Sequence, residues 1–154
     1  MKTLMSTALA LSLAILVMGA QPAGACSCIG NPPEIMFADA DAVFRGTPTT
    51  YVVIDAPNDY YQYYFSVTDC WKGNVGETVI LRALVDENIC GIFIEPGQEV
   101  IVYAYFQGGS ELWTNLCSVR AGNNQEHLNY LGEPGCSPVS AEEHSWGGVK
   151  ALYR

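Results

Sequence analysis

Residues 61–68 read Tyr-Gln-Tyr-Tyr-Phe-Ser-Val-Thr, and this stretch decides the fold class. Aromatic or apolar side chains occupy every second position from Tyr61 to Val67, and mostly polar ones lie between them. This two-residue period predicts a β-strand with one buried face. Other apolar stretches, separated by turn residues, predict four further strands at residues 42–54 (interrupted at Pro48), 79–84, 99–106 and 111–116.

Short helices are predicted before and after the strands. Residues 34–38 follow Asn31-Pro32-Pro33, and proline is favoured in the first turn of a helix. Residues 125–131 form a second candidate helix, which ends at Gly132. Five short strands joined by turns predict a mainly β protein, a five-stranded OB-type Greek-key barrel with short flanking helices.

The first residues are typical of an export signal. Lys2 supplies a positive charge, residues 4–18 are an apolar run, and Ala23-Gly24-Ala25 is a small-residue cleavage signal. Cleavage after Ala25 makes Cys26 the first residue of the mature protein, which we expect to be secreted to an extracellular or periplasmic location. The expected organisation is a signal peptide at 1–25, one folded domain at 26–136 and a C-terminal tail at 137–154.

All six cysteines lie beyond the predicted cleavage site. An even number in an exported chain predicts three disulfides, although six cysteines allow fifteen pairings. Cys26-Ser27-Cys28 lacks the second cysteine pair that a structural zinc site needs. In the mature protein Cys26 would carry a free α-amine beside its carbonyl, and these two groups can bind one metal ion together. The mature N-terminus is therefore the candidate functional site.

Composition argues against several functions. The formal net charge of −9 argues against nucleic acid, because phosphate binding depends on clustered Lys and Arg. No apolar run beyond the leader approaches the roughly 20 residues that span a bilayer. The sequence contains no G-x-S-x-G, H-E-x-x-H or phosphate-loop motif, so we expect neither an enzyme nor a cofactor. His127 and His144 lack the spacing of metal ligands and are predicted to lie on the surface.

Short stretches in a fixed order carry a family resemblance. They are Cys26-Ser27-Cys28, residues 33–46 with Phe37, Ala40-Asp41 and Val43-Phe44-Arg45-Gly46, then Trp71-Lys72-Gly73, Cys90-Gly91 with Phe93, Gly97, Val102-Tyr103-Ala104, and Leu112-Trp113-Thr114 leading to Cys117-Ser118. Together they resemble the netrin-like (NTR) module and, more narrowly, the inhibitory domain of the tissue inhibitors of metalloproteinases (TIMPs). The resemblance extends over residues 26–136 and implies the same OB-type barrel.

The resemblance also implies a disulfide scheme. In these inhibitors the first cysteine pairs with that of the Cys-Gly segment, and the next pairs with the cysteine after the last strand. The chain departs from the family at Phe37-Ala38-Asp39, where the inhibitors carry another cysteine. The pairs expected here are Cys26–Cys90, Cys28–Cys117 and, from the two cysteines that remain, Cys70–Cys136.

The function implied by the resemblance is inhibition of a zinc metalloprotease. The amine and carbonyl of Cys26 would chelate the catalytic zinc of the target protease in trans. Ser27 would enter the primary specificity pocket, although a short hydroxyl fills a deep apolar pocket poorly. Cys28 holds the segment in place, and Asn88-Ile89-Cys90 would contact the protease beside it. The Tyr-rich connection at residues 48–60 could extend this contact.

Two other functions remain open from the sequence. A Cys-x-Cys in a secreted chain often marks only two disulfide ends, so the protein could be a netrin-like binding module without inhibitory activity. Alternatively, Ala23-Gly24-Ala25-Cys26 resembles a lipobox, although a lipobox normally has a large apolar residue at the position of Ala23. The expected partner is a zinc metalloprotease or another protein ligand, bound by a monomer.

Overall fold

A computed structural model describes residues 26, 28, 31–55 and 59–136. The predicted leader with its Ala25 cleavage site, Ser27 and the predicted tail at 137–154 lie outside the described residues. Within the described part, no helix is long and apolar enough to cross a membrane.

The described chain contains two short α-helices and six strands, and the barrel is built from the first five strands. The helices are α1 (Pro33–Asp39) and α2 (Gln125–Leu131), and the strands are β1 (Ala42–Ile54), β2 (Tyr60–Lys72), β3 (Thr78–Leu84), β4 (Val100–Phe106), β5 (Leu112–Thr114) and β6 (Val119–Ala121).

The sheet closes on itself. β1 pairs with β2 and β4, β2 pairs with β3, and β5 lies between β3 and β4, parallel to β3 and antiparallel to β4. The short β6 pairs with β4 beyond β5 and extends the same ladder. The prediction of a mainly β, five-stranded barrel with two flanking helices is confirmed.

Two predicted strands differ from the structure. β1 continues through Pro48, because the chain forms an irregularity between Pro48 and Thr50, a place where proline is tolerated. The predicted fifth strand at 111–116 is too long. β5 ends at Thr114 because the side chain of Asn115 accepts a hydrogen bond from the Cys117 amide (2.9 Å) and starts a 3-10 turn.

The alternating residues of β2 fill the barrel. Tyr63 and Phe65 are fully buried, and the Phe65 ring meets Phe44 of β1 edge-on, with ring centroids 5.7 Å apart. The Tyr63 hydroxyl accepts a hydrogen bond from the Ile94 amide (2.9 Å), so its polar atom is satisfied inside the core. Burial raises the pKa of Tyr63 to about 12, which keeps the hydroxyl protonated.

The Trp71-Lys72-Gly73 stretch attaches both helices to the end of β2. The Lys72 ammonium donates to the carbonyl oxygens of Phe37 (2.8 Å) and Ala38 (3.2 Å) in the last turn of α1, where cations are favoured. The Trp71 indole donates to the carbonyl of Gly132 (2.9 Å), just after α2. These contacts place α1 and α2 side by side against β4.

The prediction that His127 lies on the surface is wrong. Its side chain is only 4% exposed and lies under α2, where Nδ1 is 2.8 Å from the Tyr103 hydroxyl. Burial lowers the pKa of His127, and the nearby Arg120 lowers it further, while Glu126 and Glu34 act weakly in the other direction. The folded protein therefore favours the neutral imidazole. His144 lies outside the described residues.

This burial predicts a loss of stability in mild acid. An unfolded histidine titrates near pH 6.5, whereas His127 in the folded state titrates lower. Above pH 6.5 the imidazole is neutral in both the folded and the unfolded state, and its contribution to the free energy of unfolding is fully present. As the pH falls below that value the unfolded state gains the proton first, so the free energy of unfolding decreases until the folded pKa is passed. His127→Gln should flatten this decrease in thermal unfolding measured from pH 7.5 to 5; an equally steep decrease in the variant would contradict the assignment.

Candidate functional site

The N-terminal segment is attached to two separate turns of the barrel by disulfides. Cys26 is bonded to Cys90 and Cys28 to Cys117, while the third disulfide joins Cys70 to Cys136. These are the same pairs that were expected above. A chain terminus normally frays unless it is attached, so two bridges this close together hold residues 26 and 28 against the barrel.

The Cys90 turn (residues 86–91) receives the first bridge. The Asp86 carboxylate accepts hydrogen bonds from the amide of Asn88 (2.8 Å) and from its side chain (2.8 Å). Cys90 then adopts a left-handed conformation, with φ of 66°, and its amide donates to the Glu87 carbonyl (3.2 Å). Few non-glycine residues adopt this left-handed backbone conformation. The hydrogen bonds of the turn hold Cys90 in it.

Gly91 is the one position of this turn where no side chain fits. Its amide donates to the Asp86 carbonyl (2.9 Å), and a Cβ placed on Gly91 would collide with the carbonyl oxygens of Leu84 and Asp86. Both of these oxygens belong to the backbone, so they cannot rotate away. This explains physically why glycine follows Cys90 in the Cys-Gly segment.

The Cys117 turn (residues 115–118) receives the second bridge. Asn115 caps it through the Cys117 amide, and Arg120 donates to the Cys117 carbonyl (2.9 Å). The amide of Leu116 donates to the Cys90 carbonyl (3.0 Å), which joins the two turns directly. The two disulfides therefore end on one connected support rather than on independent loops.

Exposed side chains surround the attached segment. Cys28 and Asn88 are exposed, Ile89 is 49% exposed, and Cys26 and Cys90 are half-buried. The sulfur of Cys26 lies 3.8 Å from the Asn88 carbonyl oxygen. The structure thus brings together Cys26, Cys28, Asn88, Ile89 and Cys90 at one surface. Ser27 lies outside the described residues.

The stretch at residues 48–60 is mostly strand rather than connection. β1 runs to Ile54 and pairs there with Tyr60, so only residues 55–59 join the two strands. The rings of Tyr51 and Tyr61 pack on each other and on Phe93, with centroids 5.3–5.6 Å apart. This aromatic cluster connects the β1–β2 hairpin to the chain that follows the Cys90 turn.

Sequence reasoning missed the residues that shape the two turns. Asp86 and Asn115 each stand two residues before the amide that they cap, the spacing of an Asx turn. That signal was present in the sequence, but short Asp and Asn patterns are common in loops. Leu116 was also missed; it is 40% exposed beside Cys117.

Comparison with known proteins identifies similar chains. No family model matches the chain. The chain is 25% identical over 146 residues to metalloproteinase inhibitor 2 of Canis lupus familiaris, covering 85% of this chain and 66% of that protein. The corresponding human protein is 25% identical over 143 residues (83% and 65% covered), and that of Gallus gallus is 26% identical over 140 residues (80% and 64% covered). These matches confirm the resemblance to the TIMPs.

The chain spans just under two thirds of the length of these relatives, between 64% and 66%. The relatives are named as inhibitors rather than enzymes. The structure also contains three disulfides, which are typical of extracellular chains.

Proposed function

We propose that this protein is a secreted inhibitor of zinc metalloproteases that acts through the mature N-terminus at Cys26. The amine and the carbonyl of Cys26 bind the catalytic zinc of the protease as a five-membered chelate. Cys28 and the Cys90 turn hold that residue in position, and Asn88 and Ile89 contact the protease beside the zinc. Ser27 enters the specificity pocket.

The chemistry requires only that the inhibitor replace a water molecule. A catalytic zinc has three protein ligands and one open position, where the bound water becomes the nucleophile. An α-amine titrates at about pH 8, so its proton is lost to zinc at neutral pH with little cost. A chelate of amine and carbonyl expels the water and cannot itself be hydrolysed.

The observation that carries the proposal is the pair of disulfides on one connected support. Because Cys26–Cys90 and Cys28–Cys117 end on turns joined by the hydrogen bond from Leu116 to the Cys90 carbonyl, Cys26 and Cys28 are held in place before binding. A segment that is already ordered avoids much of the entropy that a flexible peptide loses on binding. The similarity to metalloproteinase inhibitor 2 supports the same function.

The test is inhibition of a panel of zinc metalloproteases by protein that begins at Cys26. Intact mass before and after reduction first establishes the free amine, the three disulfides and the absence of a lipid. We expect nanomolar inhibition of at least one zinc protease, on the order of −12 kcal/mol of binding free energy. A serine protease provides the negative control, and reduced, alkylated protein should lose inhibition.

Absence of inhibition across the panel at micromolar concentration would overturn the proposal and leave a netrin-like binding module. A lipid on Cys26, or extra residues before it, would remove the free amine and overturn the chelation mechanism before any protease is assayed.

A further inference from the structure

An open cleft lies on the outer face of the barrel, apart from the N-terminal segment. It has a volume of about 450 Å³, which is within the range of small-molecule sites. It lies between the outer faces of β2 and β3 and the residues that lead into β5. The polar side chains that line it are Gln62, Asn74, Thr78, Arg82, Ser110 and Glu111.

The cleft and the proposed inhibitory surface lie along the same pair of strands, β3 and β5, but involve different residues. Thr78 and Leu112, at the starts of the two strands, line the cleft. The ends of the same strands lead to the Cys90 turn and the Cys117 turn. None of the described residues 26, 28, 86–91 and 115–118 lines the cleft, so the cleft and the proposed inhibitory surface are formed by different residues.

Arg82 is the central polar group of the cleft. One guanidinium nitrogen forms an ion pair with Glu111, and another donates to the Gln62 side chain (3.3 Å). The guanidinium carbon lies 5.0 Å from the centre of the Tyr60 ring, which supports its flat face. These contacts fix the plane of the guanidinium group and neutralise its charge.

Two buried donors beside this group have no partner among the described residues. They are the Nε of Arg82 and the indole nitrogen of Trp113. Arg82 and Trp113 are register neighbours on β3 and β5, and both contact the Tyr60 ring. Buried N–H groups are almost always hydrogen-bonded in folded proteins. Because both nitrogens are buried and Trp113 does not line the cleft, hydrogen bonds to a ligand in the cleft would come from its exposed side chains, Asn74, Thr78, Ser110 and Glu111.

We propose that this cleft binds a neutral saccharide. Its polar lining consists of amide and hydroxyl groups around an internally neutralised Arg82–Glu111 pair, a set that can both donate to and accept from adjacent sugar hydroxyls. Ile80, which is 49% exposed, and Leu112 supply apolar surface for the C–H face of a sugar ring. The outer face of strands 2 and 3 is also where OB barrels commonly bind oligonucleotides and oligosaccharides.

The charge and polarity of the cleft favour a neutral saccharide over an anion, an oligonucleotide or an apolar ligand. An anion would need an unpaired cation, whereas Arg82, the only basic side chain among the described residues that line the cleft, is already paired with Glu111. An oligonucleotide is disfavoured further by the net charge of −9. A purely apolar ligand would cover the Asn74, Thr78 and Ser110 side chains without giving them hydrogen bonds.

The test is an NMR titration of isotopically labelled, disulfide-bonded protein without any protease. The probes are maltose, cellobiose, lactose and N,N′-diacetylchitobiose, with sodium sulfate as the anionic comparison. At least one saccharide should shift the Arg82 Nε–H and the Asn74 side-chain amide. The Trp71 indole, which already donates to Gly132, should not move. No shift with any saccharide at about 10 mM, the weak end of measurable affinity, or a response to sulfate alone, would overturn the proposal.

A matched pair of variants locates the binding. Asn74 and Asn123 are both exposed, but only Asn74 lines the cleft. Asn74→Ala should weaken saccharide binding by about tenfold, the effect of one lost hydrogen bond, and Asn123→Ala should leave it unchanged. Equal affinity in the two variants would place the saccharide elsewhere. Because no protease is present, the outcome is independent of the proposed inhibition.

Discussion

One alanine added before Cys26 is expected to weaken inhibition by at least about a hundredfold, since removing one partner of a buried polar contact costs several kcal/mol. The addition converts the α-amine of Cys26 into an amide nitrogen, which is a poor zinc ligand. It also places a residue where the protease has its metal. The change leaves every described contact of Cys26 with the barrel in place, including its disulfide to Cys90.

The matched control is the same alanine added after Arg154. Both proteins should show three disulfides by non-reduced mass and unfold at the same temperature, so that only the amine distinguishes them. Inhibition constants measured against the most sensitive protease of the panel then decide the mechanism. Undiminished inhibition by the N-terminally extended protein would show that Cys26 does not act through its amine.

The barrel was predictable because its core strand alternates regularly. The two-residue period at 61–68 corresponds to full burial of Tyr63 and Phe65 and to exposure of Ser66 and Thr68 in β2. Successive side chains of a strand point to opposite faces of the sheet, so the order of residues along the strand is enough to show which face is buried. Predictions of this kind need no information about distant parts of the chain.

One error arose where a distant residue decides the structure, and another where a local side chain competes with the strand. His127 looks polar in sequence, yet its burial follows from Tyr103, which lies 24 residues away and supplies the hydrogen bond that makes a buried imidazole tolerable. The fifth strand ends early because the Asn115 side chain caps the next turn, which competes with a longer strand.

The candidate site was predictable only in part. The position of Cys26-Ser27-Cys28 behind a cleavage signal pointed to the N-terminus, but composition and spacing left the disulfide partners open. The family resemblance supplied the partners. The hydrogen bond between the Cys90 and Cys117 turns, which makes them one support, involves the backbone of Leu116 and leaves no signal in the sequence.

Gly91→Ala should damage stability and inhibition together. Because the added Cβ would meet the carbonyl oxygens of Leu84 and Asp86, the Cys90 turn must move to make room for it. We expect the free energy of unfolding to fall by about 1–3 kcal/mol, the typical cost of overpacking. Movement of Cys90 also displaces Cys26 through their disulfide, so inhibition should weaken by about tenfold or more, since a small misplacement of a reactive group has a large effect.

Gly108→Ala separates this effect from simple backbone strain. Gly108 has a φ of +71°, and a Cβ at this position meets nothing within 4 Å, so alanine there adds only the left-handed strain of about 1–2 kcal/mol. It should lower stability without changing inhibition, because it lies between β4 and β5, away from the Cys90 turn. Urea unfolding and inhibition constants for the two variants provide the comparison. If Gly91→Ala inhibits as well as Gly108→Ala at concentrations where both are folded, the position of Cys90 does not govern inhibition, and the rigid support assigned to the Cys90 turn is wrong.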